Sequence, residues 1–278
     1  MDRIQLKERS KNLIRTAQPK PVVTAIIYLL ILAALSFLSY KLVGGAAEEI
    51  RNVYDSFGFN YNVDIYDSTI DPEQFTYALE QALPSPLATL LYIAIEIVTI
   101  VLGAGFAIFC LRTVRGMEAS YWNIFDAFEM FFRVIWLYIL EGIFIFLWSL
   151  LFIVPGFIAF YRYRMALYLL LEHPEMSALQ CISESKRIMV GHKGELFGVD
   201  LSFIGWALLV GIVSYIGDEI AIGLGSTIAA QILSAIELGT LVEFFVFPYM
   251  QLTYAGYYVE MTRPAPETAF EDGWVPPV

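Results

Sequence analysis

The segment Glu141–Gly194 reads EGIFIFLWSLLFIVPGFIAFYRYRMALYLLLEHPEMSALQCISESKRIMVGHKG and decides how the rest of the chain is threaded. Two apolar runs meet at Pro155-Gly156, the second run carries Arg162 and Arg164, and a basic amphipathic stretch follows. Proline cannot donate a backbone hydrogen bond and glycine tolerates turn conformations, so a helix break at this dipeptide costs little. A hairpin here also keeps the following lysines and arginines in the cytoplasm, where basic loop residues concentrate. We therefore predict one span on each side of the break.

Composition places the chain in a membrane. Of its 278 residues, 58% are hydrophobic and 16% are charged, and the apolar runs reach the roughly 20 residues that cross a bilayer. The net charge of −11 argues against nucleic acid as a partner, because nucleic acid requires a basic surface. Two cysteines, Cys110 and Cys181, are too few for a disulfide framework, and we expect them to be reduced thiols. The apolar run after Lys20 is too long for a cleavable signal.

The order of charged and apolar segments predicts an all-α, polytopic integral membrane helical bundle with six transmembrane helices and both termini in the cytoplasm. Residues 1–20 carry six basic residues and predict a cytoplasmic amphipathic segment. Residues 21–43 form the first predicted span. Residues 44–85 hold eight acidic residues and one basic residue, which is typical of an extracytoplasmic loop.

Residues 86–262 are expected to contain the other five spans, with a cytoplasmic amphipathic helix near 175–190. The last apolar region is longer than one crossing needs, and we expect Pro248 to break or kink it. Residues 263–278 are acidic and rich in proline, which predicts a disordered tail. Within the acidic loop, Asp71-Pro72 predicts a helix start, because an N-cap acceptor precedes a proline at the first helical position.

Three stretches occur in series in the second half of the chain: LLFIVPGFIAFYRYRMALYLLLEHPEMSAL (150–179), SESKRIMVGHKGELFGVDLSFIGW (183–206) and FPYMQLTYAGYY (247–258). Together they resemble a family of bacterial multipass membrane proteins known as domain of unknown function 975, over about residues 133–261. The resemblance implies a protein of the bacterial plasma membrane. It brings no activity, substrate or catalytic residue with it.

Charged side chains inside the predicted spans are the most informative residues. Each costs about 2.5–3.5 kcal/mol at a helix centre, so partners are expected. These residues are Glu96, Glu141, Arg162, Arg164, Glu237 and Glu243. At a rise of about 1.5 Å per residue, Glu96, Arg164 and Glu237 come to a similar depth near the midplane. Arg162 and Arg164 point about 200° apart on a helix, so they cannot face the same partner.

Three explanations of these charges stay open. The side chains line a polar cavity that admits a proton, an ion or a polar headgroup; they form an ion-paired network that only orders the bundle; or shifted helices leave the carboxylates in water. One spacing hints at an internal repeat of the kind found in transporters, since Tyr161 and Tyr254 follow Pro155 and Pro248 by six residues. Small residues at Gly103-Ala104-Gly105 predict close helix packing, inside the bundle or at a dimer face.

The sequence carries no catalytic, cofactor-binding or metal-binding motif. Its two histidines, His173 and His192, lie outside any HExxH helix, and the nucleophile-elbow, Walker and dinucleotide fingerprints are missing. We therefore expect a non-enzyme that uses no cofactor. Two classes of function stay open: a small transporter or channel-like protein with a charged midplane cavity, and a non-transporting accessory, immunity or envelope-stress protein. The expected partners are membrane lipids, with a small polar solute in the first class and a membrane protein in the second.

Overall fold

The computed structural model describes residues 3–57, 71–225 and 238–263, which form helices and turns with no strand among them. The chain divides into two compact units. The larger comprises residues 1–26 and 103–278, and the smaller comprises residues 27–102. The predicted all-α class is confirmed for the described residues.

The described residues form twelve α-helices and one 3₁₀ helix. In chain order they are α1 (Arg3–Thr16), α2 (Pro21–Val43), α3 (Ala46–Ser56), α4 (Pro72–Ala82), α5 (Pro86–Arg115), a 3₁₀ helix (Tyr121–Met130), α6 (Phe131–Leu151), α7 (Ile153–Tyr163), α8 (Ala166–Glu172), α9 (Ala178–Ile188), α10 (Lys193–Leu201), α11 (Ile204–Gly223) and α12 (Leu238–Met261). The helix α2 coincides with the first predicted span, and α9 lies within the range predicted for the amphipathic helix.

Four helical segments of the described residues are long and apolar enough to cross a membrane. They are Pro21–Ser56, Pro86–Arg115, Tyr121–Leu151 and Lys193–Gly217. By length and composition, these segments are those of a membrane protein. The other two predicted spans are not of this kind. The fourth is divided between α7, with 11 residues, and α8, with 7 residues, and the sixth, α12, mixes polar and aromatic residues into its apolar sequence.

The predicted hairpin is present between α6 and α7, but the chain turns three residues earlier than predicted. Phe152, with φ −163° and ψ 157°, separates the two helices. Pro155 therefore lies in the first turn of α7, where its missing N–H costs no helical hydrogen bond. Gly156 is buried against α6, and a Cβ on it would lie 3.0 Å from the Cα of Ser149. The glycine thus serves close packing rather than the turn.

Pro248 does not interrupt the last helix, because α12 continues from Leu238 to Met261 with this proline inside it. The helix packs against α11 and α1, and the neighbouring side chains Val246 and Tyr249 are buried. Packing on both sides holds the helix together where proline removes one backbone hydrogen bond. The last described residue is Arg263, and the rest of the predicted tail lies outside the described residues.

The smaller unit contains α3 and α4, which pack against each other. The helix α4 begins at Pro72 as predicted, and Asp71 caps it by accepting a hydrogen bond from the Glu73 N–H at 3.0 Å. The ring of Phe75 packs edge-on against Tyr54 and Phe57, with centroid distances of 5.5 and 5.2 Å. The predicted acidic loop therefore contains two packed helices, while its central part, residues 58–70, lies outside the described residues.

In the larger unit, the buried core lies at one end of the helices. The second half of α5 buries Phe109, the end of α7 buries Tyr163, and the second half of α12 buries Tyr257. The opposite end of the α6–α7 hairpin exposes large apolar side chains instead, including Phe152 and Ile153, which is 86% exposed. Large apolar surface of this kind is expected where a chain meets lipid.

The predicted amphipathic helix α1 packs on the bundle. Leu6 is buried against Gly256 of α12, and the Lys7 ammonium donates to Ser202 Oγ at 2.8 Å while lying 4.3 Å from the centre of the Phe203 ring. Burial, and next the nearby Lys11, hold the pKa of Lys7 below its ordinary value. Leu6 is therefore covered by protein, whereas Ile4 of the same helix is 70% exposed.

Candidate functional site

The candidate site is built around Arg164, which ends α7. Its guanidinium carbon lies 5.1 Å from the centre of the Phe160 ring and 4.8 Å from that of Tyr254, which belongs to α12. Cations are attracted to aromatic faces at this distance. No carboxylate of the described residues lies within ion-pair distance of this guanidinium.

Glu141 of α6 is the first carboxyl group of this site. Its charge interacts with that of Arg164, and its Oε1 is buried with no hydrogen-bond partner among the described residues. The α6–α7 hairpin brings the two residues together, since each lies in one of its arms. The sequence predicted a layer in which Arg164 shares its depth with Glu96 and Glu237, but in the described residues its carboxylate neighbour from a predicted span is Glu141.

Asp200 of α10 is the second carboxyl group. It accepts a hydrogen bond from the Tyr161 hydroxyl at 2.7 Å through Oδ2. Tyr254 faces the same carboxylate with poorer hydrogen-bond geometry, and Oδ1 is buried with no hydrogen-bond partner among the described residues. The two tyrosines are those that follow Pro155 and Pro248 by six residues. They converge on one carboxylate.

Sequence reasoning missed Asp200. The residue lies in GVDLSF, close to the predicted start of a span, where an acidic residue looks like an ordinary interfacial group. The usable signal was the tyrosine spacing, because each tyrosine places a hydroxyl donor at the same distance after a proline. The spacing indicates two donors without showing which acceptor they share.

Ser185 holds the backbone beside the site. Its side chain is buried in α9, donates to the carbonyl of Arg162 at 2.8 Å and accepts from the backbone N–H of Met165 at 3.2 Å. The two backbone groups lie on either side of Arg164, where α7 gives way to α8. One hydroxyl therefore positions the turn that carries the guanidinium.

The remaining predicted site residues lie elsewhere. The Arg162 side chain is half-buried and contributes its backbone carbonyl to the contact with Ser185. Glu96 is exposed on α5 in the smaller unit, and Glu243 is exposed on α12. Glu237 lies outside the described residues.

A groove of about 740 Å³ lies beside the site, between α10–α11 and α12. Its polar lining comes from Asp200, Glu243 and Tyr254. Its apolar lining includes Leu201, Ile204, Ala207, Val210, Phe247 and Met250. Asp200 therefore both binds Tyr161 and lines this groove.

A second charged cluster ties helix ends together. Arg115 of α5 binds Glu172 of α8 with both ends of its guanidinium, at 2.7 and 2.8 Å. The Tyr258 hydroxyl of α12 donates to Glu172 at 2.8 Å, and Arg115 also reaches Thr262 at 3.4 Å. Because these groups are mutually paired, the cluster joins three helices and offers little to a ligand.

Histidine and cysteine form no further site in the described residues. His173 contacts Glu175 at 3.2 Å and His192 contacts Glu195 at 3.0 Å, in each case a residue two or three positions away. Cys110 and Cys181 are buried, free thiols, as predicted. The described residues contain no group of histidine, cysteine and acidic side chains that could hold a metal ion.

The long apolar helices and the buried polar cluster define a helical membrane protein. Residues 151–265 match the family described as "Protein of unknown function (DUF975)", so the resemblance read from the sequence is confirmed over this segment. The segment includes Tyr161, Arg164, Asp200 and Tyr254, whereas Glu141 precedes it. Comparisons with curated proteins and with solved structures give no match.

Proposed function

We propose that this chain is a multipass protein of the bacterial plasma membrane that crosses the bilayer six times, with both termini in the cytoplasm. Contacts at helix ends support this topology. Arg9 of α1 pairs with Glu260 near the end of α12 at 2.8 Å, and Arg115 at the end of α5 pairs with Glu172 at the end of α8. Because Tyr258 near the end of α12 also donates to Glu172, the ends of α5, α8 and α12 lie together on one face of the larger unit, with the middle of α1 beside them.

Ends on the same face require an even number of crossings between them. The helix α6 leaves this face after α5, so α7 and α8 must return together, although neither is long enough alone. The helices α10–α11 and α12 form the next outward and return pair in the same way. Arginines such as Arg112 and Arg115 lie on this face, which favours its assignment to the cytoplasm.

Within this topology we propose a small transporter or channel-like protein that binds a proton or a small cation at the Arg164 site. One observation carries the proposal. Arg164 has Glu141 as a charged neighbour and shares the neighbour Tyr254 with Asp200, and each of these two carboxyl groups has a buried oxygen with no hydrogen-bond partner among the described residues. In a purely structural network we would expect the guanidinium to bind a carboxylate directly. One guanidinium can neutralise one carboxylate. The other carboxyl group must therefore bind a proton or a cation to be neutral in a region of low dielectric constant.

The proposal is tested by flux through the full-length protein in liposomes. A pH-sensitive dye inside the liposomes reports proton entry under an imposed membrane potential, and replacing the external cation tests small cations. Glu141→Gln and Asp200→Asn should each lower the flux by at least about tenfold, because each removes a site that binds the ion. Glu118→Gln changes an exposed carboxylate in the connection after α5 and should leave the flux unchanged.

Two results contradict the proposal. One is a wild-type flux no larger than that of empty liposomes for protons and for the cations tested. The other is a Glu141→Gln protein that folds, shown by an unchanged unfolding temperature, and conducts like the wild type. Either result would favour the non-transporting class of function.

A further inference from the structure

The groove beside the site has an apolar wall, with Asp200 and Tyr254 near one end and Glu243, about 16 Å from Tyr254 along α12, toward the other. It starts at Asp200 and Tyr254 and follows α11 as far as Gly211, a distance of roughly 15 Å at the helical rise. Its volume of about 740 Å³ falls within the range of small-molecule sites. A ligand whose compact polar head binds at the Asp200 end can place an extended apolar tail along this wall.

The ionisable groups in the described lining are both acidic, Asp200 and Glu243. Asp200 is held by Tyr161 through Oδ2 and is also faced by the Tyr254 hydroxyl, and its buried Oδ1 has no hydrogen-bond partner among the described residues. Such an oxygen attracts a positively charged donor and repels an anion. A primary ammonium fits this role, since it combines a positive charge with three N–H donors.

The neighbouring surface already accepts an ammonium group. Lys7 of α1 reaches the α10–α11 junction, where its ammonium binds Ser202 and lies over the Phe203 ring. Arg164 lies against the ring of Tyr254, whose hydroxyl faces Asp200, but it forms no ion pair with this carboxylate. The Asp200 carboxylate therefore has no cationic partner among the described residues.

We propose that this groove binds one membrane lipid with a primary ammonium headgroup. The ammonium lies at Asp200 Oδ1, and an acyl chain follows the apolar wall formed by α11 and α12. The inference rests on the proposed function only through Asp200, which belongs to both sites. It names a lipid as the ligand of the groove, whether or not ions cross the protein.

Lipid retention by the full-length protein tests the inference. The protein in a non-ionic detergent is mixed with phosphatidylethanolamine, phosphatidylcholine or phosphatidylglycerol of identical acyl chains, and bound lipids are counted by native mass spectrometry. Phosphatidylethanolamine should be retained at least about tenfold better than the other two, the effect of one charge-assisted hydrogen bond. Phosphatidylcholine isolates the hydrogen bond, because its ammonium has no N–H donor, and phosphatidylglycerol isolates the charge.

Two variants separate the contribution of the lipid headgroup from that of the acyl chain. Asp200→Asn should remove the preference for phosphatidylethanolamine, while Glu118→Gln, at an exposed position away from the groove, should keep it. Ala207→Trp fills the apolar wall without changing any charge and should lower retention of all three lipids. If Asp200→Asn does not fold, Asp200→Glu replaces it, because it keeps the charge but displaces the carboxylate by one methylene group and should still weaken the preference.

Equal retention of the three lipids by the wild type would overturn the inference, and so would a preference that survives both Asp200→Asn and Ala207→Trp. A second protein copy in place of lipid would do the same. The liposome flux is a separate measurement. Normal flux without lipid preference removes only this inference, whereas lipid preference without flux removes only the transport proposal.

Discussion

Gly105 shows how strictly a single residue is constrained in this bundle. A Cβ at this position of α5 would lie 2.9 Å from the Cα of Ile124 and still closer to its carbonyl group, in the 3₁₀ helix. Because backbone cannot move aside as a side chain can, Gly105→Ala should destabilise the protein by about 1–3 kcal/mol. The measurement is the unfolding temperature in detergent.

Gly142→Ala is the matched control for this change. A Cβ on Gly142, in α6, meets nothing within 4 Å, and alanine is the better helix former by up to about 1 kcal/mol. The unfolding temperature of this variant should stay the same or rise. Equal decreases in the unfolding temperature of the two variants would show that the contact with Ile124 does not restrict position 105 to glycine.

Ser185 supports a second prediction. Ser185→Ala leaves the Arg162 carbonyl and the Met165 N–H without the hydroxyl that binds both, which should cost about 1–3 kcal/mol. Ser183→Ala removes an exposed hydroxyl from the same helix and should cost little. The two unfolding temperatures are compared in the same detergent. If they fall equally, the hydroxyl of Ser185 does not hold the turn.

The sequence identifies residues of the site better than it identifies their partners. Glu141 and Arg164 stand out because a charge inside an apolar run is visible along the chain. Their proximity follows from the hairpin, which was predicted. The estimated depths of the charged residues in the predicted spans indicated Glu96 and Glu237 as neighbours of Arg164 instead. Asp200 could not be found this way, because its role depends on Tyr161 and Tyr254, which come from two other helices.

Helix boundaries depend on packing as well as on proline. Pro155 and Pro248 carry the same local signal, yet one lies in the first turn of a helix and the other lies inside a helix. The helix α9 shows the same limit. Cys181, Ile182 and Ser185 lie on its buried face, whereas the apolar side chain of Leu179 is exposed.

The helix α1 supports a prediction at the scale of an element. Leu6 is buried against α12, and Ser10, one turn further, is also buried. Leu6→Ala removes apolar contact worth about 2–5 kcal/mol and should release α1 from the bundle. A cysteine introduced by Ser10→Cys reports this release, because a thiol-reactive label should modify it slowly in the parent and quickly in the Leu6→Ala variant.

Asn12→Cys is the control for this experiment. Asn12 is exposed on the same helix, so a cysteine there should be labelled quickly with or without Leu6. The native cysteines are buried and set the background. Slow labelling at position 10 in both backgrounds would mean that the polar contacts of Lys7 and Arg9 hold α1 in place without Leu6.

The number of crossings belongs to the whole molecule. The positive-inside bias predicts six, and length with composition selects four of the described segments. The difference arises because α7 and α8 are separate short helices and α12 carries polar and aromatic residues. The sequence alone could not show how the helix ends are grouped, since that grouping depends on side chains such as Arg115 and Glu172.

Six crossings and four crossings place the connection after α8 on opposite sides of the membrane. With six crossings, the segment after α8, which contains Glu175, lies in the cytoplasm. With only the four candidate segments crossing, α7 to α9 would stay outside after α6, and Glu175 would face the exterior. The ion pair between Arg115 and Glu172 at 2.7 Å favours six, because it joins the end of α5 to the end of α8.

We therefore expect Glu175→Cys to resist a membrane-impermeant maleimide in intact cells and to react after permeabilisation. Glu118→Cys, cytoplasmic under both counts, should behave identically, and labelling of Glu175→Cys alone in intact cells would establish four crossings and disprove the return of α7 and α8.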